Sequence, residues 1–343
     1  MCIQLGTATE RGWGIFDGPT DLASARAIAS WHANVIRIPL NEDCWLGING
    51  VNPKYGGQSY RASVKSFVTA LHRAGLYVIL DLHWSAPGAI PAASQQPMPD
   101  QDHSLAFWRS VARTFKRDQN VVFDLYNEPF LYTSYLQDPT QDLWHCWLLG
   151  CALNQYLTGG NPYTHGYIWR AAGMQTLVDV VRSTGARNLI LVPGLDWAND
   201  VSQWLTNAPV DPIHNLAVSW HSYPGEGCAD EACWNRVVAP LARQVPVVAG
   251  ETGDNVCTAP TYDPTFLPWA DQHGLSYLGW TWNPWQDCKN ILIQGYNGTP
   301  TRGYGQYFHD HLIELPSAAH HTIIPALPDI SSRGSEPRAK GTK

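Results

Sequence analysis

The sequence predicts an α/β protein folded as a (β/α)8 TIM barrel, and three observations carry that reading. Short runs of β-branched and aromatic residues alternate with helical-period segments from residue 33 to residue 283. No G-x-G-x-x-G turn follows any of the runs, which removes the nucleotide-binding form of an open doubly wound sheet. The repeating region also has the length of one such barrel, about 250 residues.

The elements follow in order. "RGWGIF" (11–16) is the candidate first strand, atypical or incomplete. Seven more runs read as strands: "ANVIRIPL" (33–40), "YVILDLHW" (77–84), "VVFDLYNEP" (121–129), "NLILVPG" (188–194), "LAVSWHSYP" (216–224), "PVVAGETG" (246–253) and "SYLGWTWN" (276–283). Helices are expected in "SYRASVKSFVTALHRAG", "SLAFWRSVARTFKRD", "YIWRAAGMQTLVDVVRSTG" and "FLPWADQHG". Most of these end in a glycine just before the next strand, as helix C-caps do. Residues 1–315 are expected to form one barrel domain. Residues 316–343, rich in Pro, Ser and charge, are expected to be a disordered tail. The excursion from Phe130 to about Tyr163 is a long loop of the kind that shapes a substrate cleft.

Bulk properties exclude several classes. The net charge is −7 with scattered basic residues, so no nucleic-acid footprint is present. No apolar run approaches the ~18 residues of a membrane span. "MCIQLGTATERG" lacks the basic-then-apolar pattern of a signal peptide. Eight cysteines fall mostly in polar, turn-rich segments without a C-x-x-C pair. That distribution favours disulfides and an oxidising compartment over eight ordinary thiols.

The polar residues gather at the strand exits. Arg37 closes the first of the seven runs and His83 the second, while Asn127 and Glu128 close the third. His221 and Tyr223 follow at the fifth run, Glu251 at the sixth, and Trp280, Trp282 and Asn283 at the last. In a β/α barrel all these exits lie on the catalytic face. Polar groups set against apolar strands are costly unless they serve one another or a ligand.

Glu128 and Glu251 stand out. Facing carboxyl groups suit glycosidic bond cleavage, one protonated to donate and one ionised to attack. Pro129 holds Glu128 extended. Each residue has a plainer reading: Arg37 in a buried ion pair, His83 and His221 as core histidines, Glu128 as a helix cap, Trp282 as packing. Asp81 shares the face of His83 by strand alternation and reads, with Glu42 and Asp43, as structural. The coincidence of one polar residue per strand end favours function. A metal site built from His83, His221 and the two glutamates is the chemical alternative, though no H-x-H or H-E-x-x-H spacing accompanies them. Serine hydrolysis lacks its G-x-S-x-G elbow.

The ordered set "VIRIP", "LDLHW", "NEP", "WHSYP", "GETG" and "WTWNPW" resembles glycoside hydrolase family 5, most closely its secreted bacterial endo-β-1,4-glucanases, over about residues 11–315. The resemblance implies a retaining mechanism with Glu128 as acid/base and Glu251 as nucleophile. It implies that Asn127 binds the sugar 2-hydroxyl, that Tyr223 and Arg37 orient the nucleophile, and that His221 supports the acid/base. It further implies that His83 contacts sugar and that Trp282 forms a stacking floor. No metal or other cofactor is implied. The expected partner is a β-glucan polysaccharide, with no nucleic acid and no membrane, and the expected state is a secreted monomer.

The family carries a G-x-N-bearing first strand upstream of the segment matching "GWGIFDGP", whereas this chain opens at Met1-Cys2. An incomplete N-terminus is therefore expected, which also accounts for the missing signal peptide. The same layout pairs Cys146–Cys151, Cys228–Cys233, Cys257–Cys288 and Cys2–Cys44. Trp45, Trp84, Trp197, Trp204 and Tyr304 are candidate sugar-stacking residues beside "WTWNPW", whereas Trp31 and Trp108 read as core. Cellulose leads as substrate, with mannan, xyloglucan or β-1,3-glucan behind it. A glucan-binding barrel without activity is the alternative from another class.

Overall fold

A computed structural model describes residues 15–154, 167–285 and 289–315. Seven strands form one parallel sheet in sequential order: β1 Val35–Asn41, β2 Tyr77–Trp84, β3 Val121–Asp124, β4 Ile190–Pro193, β5 Leu216–Ser222, β6 Val247–Thr252 and β7 Ser276–Gly279. Each pairs with the next, and β1 approaches β7, so the sheet curls into a nearly closed barrel. The seven runs expected to be strands are the seven observed. "RGWGIF" differs: Ile15 and Phe16 form a bend rather than a strand, and residues 11–14 lie outside the described residues. An apolar cavity of about 520 Å³ separates β1 from β7, lined by Ile36, Ile38, Tyr277, Leu278 and Phe308.

Helices Gln58–Arg73, Ser104–Phe115, Met174–Ser183 and Asp263–Gln272 occupy the connections, as their periodicity predicts. Gly75, Gly185 and Gly274 end three of them at φ of +84°, +82° and +70°, a conformation that costs glycine little. One expected helix begins late, because Trp169–Arg170 pairs instead with Ala152–Leu153 in a small antiparallel hairpin.

Strand alternation divides the core in two. Ile79, Val122, Leu191, Ala217 and Val248 meet inside the barrel, whereas Val78, Leu80, Phe123 and Val218 pack outward against the helices. The inward face of β2 therefore climbs from Ile79 through Asp81 to His83. On β6 the same alternation would turn Glu251 outward. A register irregularity between β5 and β6 intervenes, pairing Trp220 with Ala249 but His221 with Glu251. The bulge re-aims Glu251 into the barrel mouth. Gly250 permits it, since a Cβ there would lie 2.8 Å from Ser219 Oγ and 3.1 Å from His221 Nε2.

Disulfides Cys146–Cys151 and Cys228–Cys233 form as expected. Cys44 and Cys257 are also disulfide-bonded; Cys2 and Cys288, their expected partners, lie outside the described residues. The tail from residue 316 lies outside them too. Replacing Cys228 and Cys233 by serine is expected to cost roughly 2 kcal/mol by the loop-closure relation. Calorimetry should show this as a melting temperature a few degrees lower.

Candidate active site

Arg37 sits at the centre of the barrel mouth, almost fully buried. Its Nε donates to Asp124 Oδ2 at 2.9 Å, Nη1 to Glu251 Oε1 at 2.7 Å and Nη2 to Asn127 Oδ1 at 2.9 Å. Nη2 also lies 3.1 Å from Asp81 Oδ2. Burial alone disfavours the guanidinium charge, but Asp81, Asp124 and Glu251 outweigh it and raise the Arg37 pKa. One cation cannot neutralise three buried carboxylates. Desolvation accordingly pushes Asp81 and Asp124 up to about 7 despite the ion pairs. In keeping with that, Oδ1 of each is buried without a hydrogen-bond partner.

Both oxygens of Glu251 are held, Oε1 by Arg37 and Oε2 by the Tyr223 hydroxyl at 2.9 Å. Its side chain is 7% exposed. Glu128 is more open, at 19%, and its Oε1 lies 2.9 Å from His221 Nδ1. Burial raises the Glu128 pKa, opposed by the nearby His83 ring and by the Arg37 charge. Burial also lowers His221 to about 3 and His83 to about 4, so both rings are neutral near pH 7. Neutral His83 donates its Nδ1 proton to Asp81 Oδ2 across 2.7 Å. Carboxylate oxygens of Glu128 and Glu251 and one ring nitrogen of His221 all lie within 4.8 Å of one another.

Glu128, Glu251, His83 and Tyr223 line an open cleft of about 380 Å³ with Asn127, Glu226, Asn255, Trp280 and Asn290, and Arg37 and His221 hold the two glutamates from behind it. The larger apolar cavity between β1 and β7 adjoins it, but the paired carboxyl groups face the smaller cleft. Seven of the eight predicted site residues meet here: Arg37, His83, Asn127, Glu128, His221, Tyr223 and Glu251. Trp282 is placed apart, on the adjoining cavity and edge-on to Trp31 with centroids 4.8 Å apart. The indole lining the cleft itself is that of Trp280, stacked on His83 at 5.7 Å.

Three suggested stacking residues are instead core. Trp45, Trp204 and Tyr304 are buried, with Trp45 Nε1 bonded to Ser110 Oγ, Trp204 Nε1 to the Val192 carbonyl and the Tyr304 hydroxyl to the Thr252 and Trp280 carbonyls. Trp197 is half-buried and stacks on Phe130 at 4.0 Å. Trp31 and Trp108 are core, as expected.

Sequence reasoning missed Asp124, Gln95 and Glu226. Asp124 carried a signal, a charge on the same strand face as apolar Val122. Gln95 carried none: a loop residue, it accepts from Asn127 Nδ2 at 3.3 Å and donates to the Glu128 carbonyl at 3.0 Å.

A parallel barrel with two facing carboxylic acids at one mouth is the architecture of a glycoside hydrolase. Residues 4–286 match the model of the cellulase family, glycosyl hydrolase family 5. The chain belongs to that family. Curated relatives include endoglucanase MaCel5A of Microbulbifer sp., 22% identical over 74% of this chain and 42% of that protein. Endoglucanase 1 of Robillarda sp. is 26% identical over 43% of this chain and 35% of its own length. The chain thus spans under half the length of either.

Among solved structures, the β-glucanase SdGluc5_26A of Saccharophagus degradans aligns at a TM-score of 0.63 and 20% identity. The alignment covers 90% of this chain and 84% of that one, and the same enzyme has been solved with cellotetraose. The endo-β-1,4-glucanase Xac0029 of Xanthomonas axonopodis pv. citri aligns at 0.58 and 19% identity, over 86% of this chain and 90% of its own. These similarities establish the fold.

Proposed function

We propose that the chain is a retaining glycoside hydrolase cleaving internal β-1,4-glucosidic bonds of cellulose or a related β-glucan. The observation that carries this reading is the approach of the Glu128 and Glu251 carboxyl oxygens to within 4.8 Å. Retaining enzymes hold their carboxyl groups about 5–5.5 Å apart, whereas inverting enzymes leave about 6.5–9.5 Å for a water.

Glu128, its pKa raised by burial, donates its proton to the glycosidic oxygen. Glu251, oriented through both oxygens by Arg37 and Tyr223, attacks the anomeric carbon to form a glycosyl ester. Glu128 then removes a proton from water, which attacks the same carbon and releases Glu251. Neutral His221 buttresses Glu128 without adding charge to the site. Asn127, held by Arg37 and Gln95, presents its amide to the sugar 2-hydroxyl, and His83 faces the sugar beside it. Trp280 and Trp282 supply the aromatic surfaces. The mechanism as written uses no metal or other cofactor.

The endoglucanase names of two relatives and the endo-β-1,4-glucanase name of Xac0029 favour β-1,4-glucan, with β-mannan or another β-glucan as the second reading. The disulfides suit secretion, and residues 1–315 are proposed as the catalytic domain of a monomer. The test is hydrolysis of soluble carboxymethyl cellulose and of mannan, with the first product's anomer read by proton NMR. β-Product from glucan is expected. α-Product would overturn the retaining assignment, and faster mannan cleavage would overturn the substrate.

A further inference from the structure

Glu226 is a third carboxyl group in the cleft, and nothing in the mechanism above uses it. It lines the same surface as Glu128, Tyr223 and Glu251. Its Oε2 accepts the Tyr223 backbone N–H at 3.3 Å. Among the described residues Oε1 has no partner, and no Lys, Arg or His pairs with the group.

Its loop is firmly anchored. The Cys228 N–H donates to Asn199 Oδ1 at 2.7 Å, and Asn199 Nδ2 donates to the His221 carbonyl at 2.9 Å. Disulfide Cys228–Cys233 and the Trp234 Nε1 bond to the Cys228 carbonyl hold the other side. The carboxyl group is therefore tied to the end of β5, the strand that also places His221. A rigidly held, half-buried acid without a counter-ion, facing open space, is a poor structural device and a suitable ligand contact.

We infer that Glu226 is a substrate-binding residue whose carboxyl group donates a hydrogen bond to an acceptor-only oxygen, ring or glycosidic, of the sugar bound beside Glu128. The inference rests on the glycosidase reading and deepens it. The charged and titratable groups around Glu226 are Glu128 after β3, Asp196 on the loop after β4, Glu251 on β6, and Tyr223 and Tyr262. Burial, then Glu128, Asp196 and Glu251, hold Glu226 protonated up to about 8, opposed by the Tyr223 N–H. Asp196 is itself raised by its own desolvation and by Asp200. Above that pH the donor becomes an anion and the bond to a sugar oxygen is lost. One such bond amounts to roughly 2- to 10-fold in affinity.

The test measures cellotetraose affinity by calorimetry at pH 6.5 and pH 9.5. The chain carries Glu251→Gln to prevent turnover, with and without Glu226→Gln or Glu226→Ala. Affinity is expected to fall several-fold with pH when Glu226 is present and to stay level with Glu226→Gln, whose amide still donates. Glu226→Ala is expected to bind weakly at both pH values. Melting temperatures unchanged by Glu226→Gln would separate a substrate contact from a structural role.

Equal pH dependence in all three chains would overturn the inference, as would uniform affinity. Hydrolysis of neutral hydroxyethyl cellulose by the unsubstituted chain separates the two readings. Cleavage without any Glu226 effect sinks only this inference. A Glu226-dependent affinity without cleavage sinks only the hydrolase mechanism.

Discussion

Glu251→Gln is expected to abolish glucan hydrolysis, by a factor on the order of 10⁵ to 10⁶, the scale seen when an enzyme loses its nucleophile. That corresponds to roughly 7–8 kcal/mol of barrier. The substitution keeps the shape: its one amide oxygen can still accept from Arg37 while its NH2 donates to the Tyr223 hydroxyl, so the fold should survive. The carbonyl of an amide cannot form the glycosyl ester.

Glu128→Gln removes the proton donor of the first step and the base of the second, and should cost about 10²- to 10⁴-fold on polymer. The two variants separate on a dinitrophenyl cellobioside, whose leaving group departs without a proton. Glu128→Gln should show a burst of dinitrophenol and then stall at the ester. Glu251→Gln should release none. If Glu251→Gln retained the burst, another residue would be the nucleophile.

Arg37→Met is expected to lower folding stability by about 3–5 kcal/mol at pH 8, the usual result of leaving buried charge unpaired. Methionine fills similar volume, so the loss reads electrostatics rather than a cavity. Its pH dependence has a definite sign. Asp81 and Asp124 are held at about 7, above the ordinary aspartate value. Their contribution is therefore fully present below about pH 4 and is lost as pH rises through 7. Without Arg37 their pKa values move higher still, so the deficit should be small at pH 5 and large at pH 8. Melting temperatures of both chains at these two pH values decide it. Equal deficits would mean that Arg37 stabilises by packing alone.

Much of this site is legible in the residues themselves. Asn127 and Glu128 interrupt an apolar strand, and Asp81 and His83 share a strand face by alternation alone. The Asp81–His83 hydrogen bond follows directly from that spacing. Glu251 is different. Alternation along "VVAGET" points it away from the barrel interior, and only the irregular pairing of β5 with β6 turns it inward. The aromatic residues are legible least well, because indole rings at strand exits and in loops look alike whether they face sugar or core. Trp45 and Trp204 became core through indole hydrogen bonds to partners 65 and 12 residues away.

The order of strands and helices, the helix ends at Gly75, Gly185 and Gly274, and the positions of the two acids at the strand exits can all be read from the residues alone. Each of these depends on local periodicity or on one residue's conformational range, which a few neighbours settle. Only the folded chain shows that three carboxylates share Arg37, that Gln95 reaches the Asn127–Glu128 turn, and that Glu226 joins the cleft. Those contacts join groups brought together only when the sheet curls and its loops are pinned over the mouth. The energy of a buried charge depends on all its neighbours at once, and no segment of the chain carries that information alone.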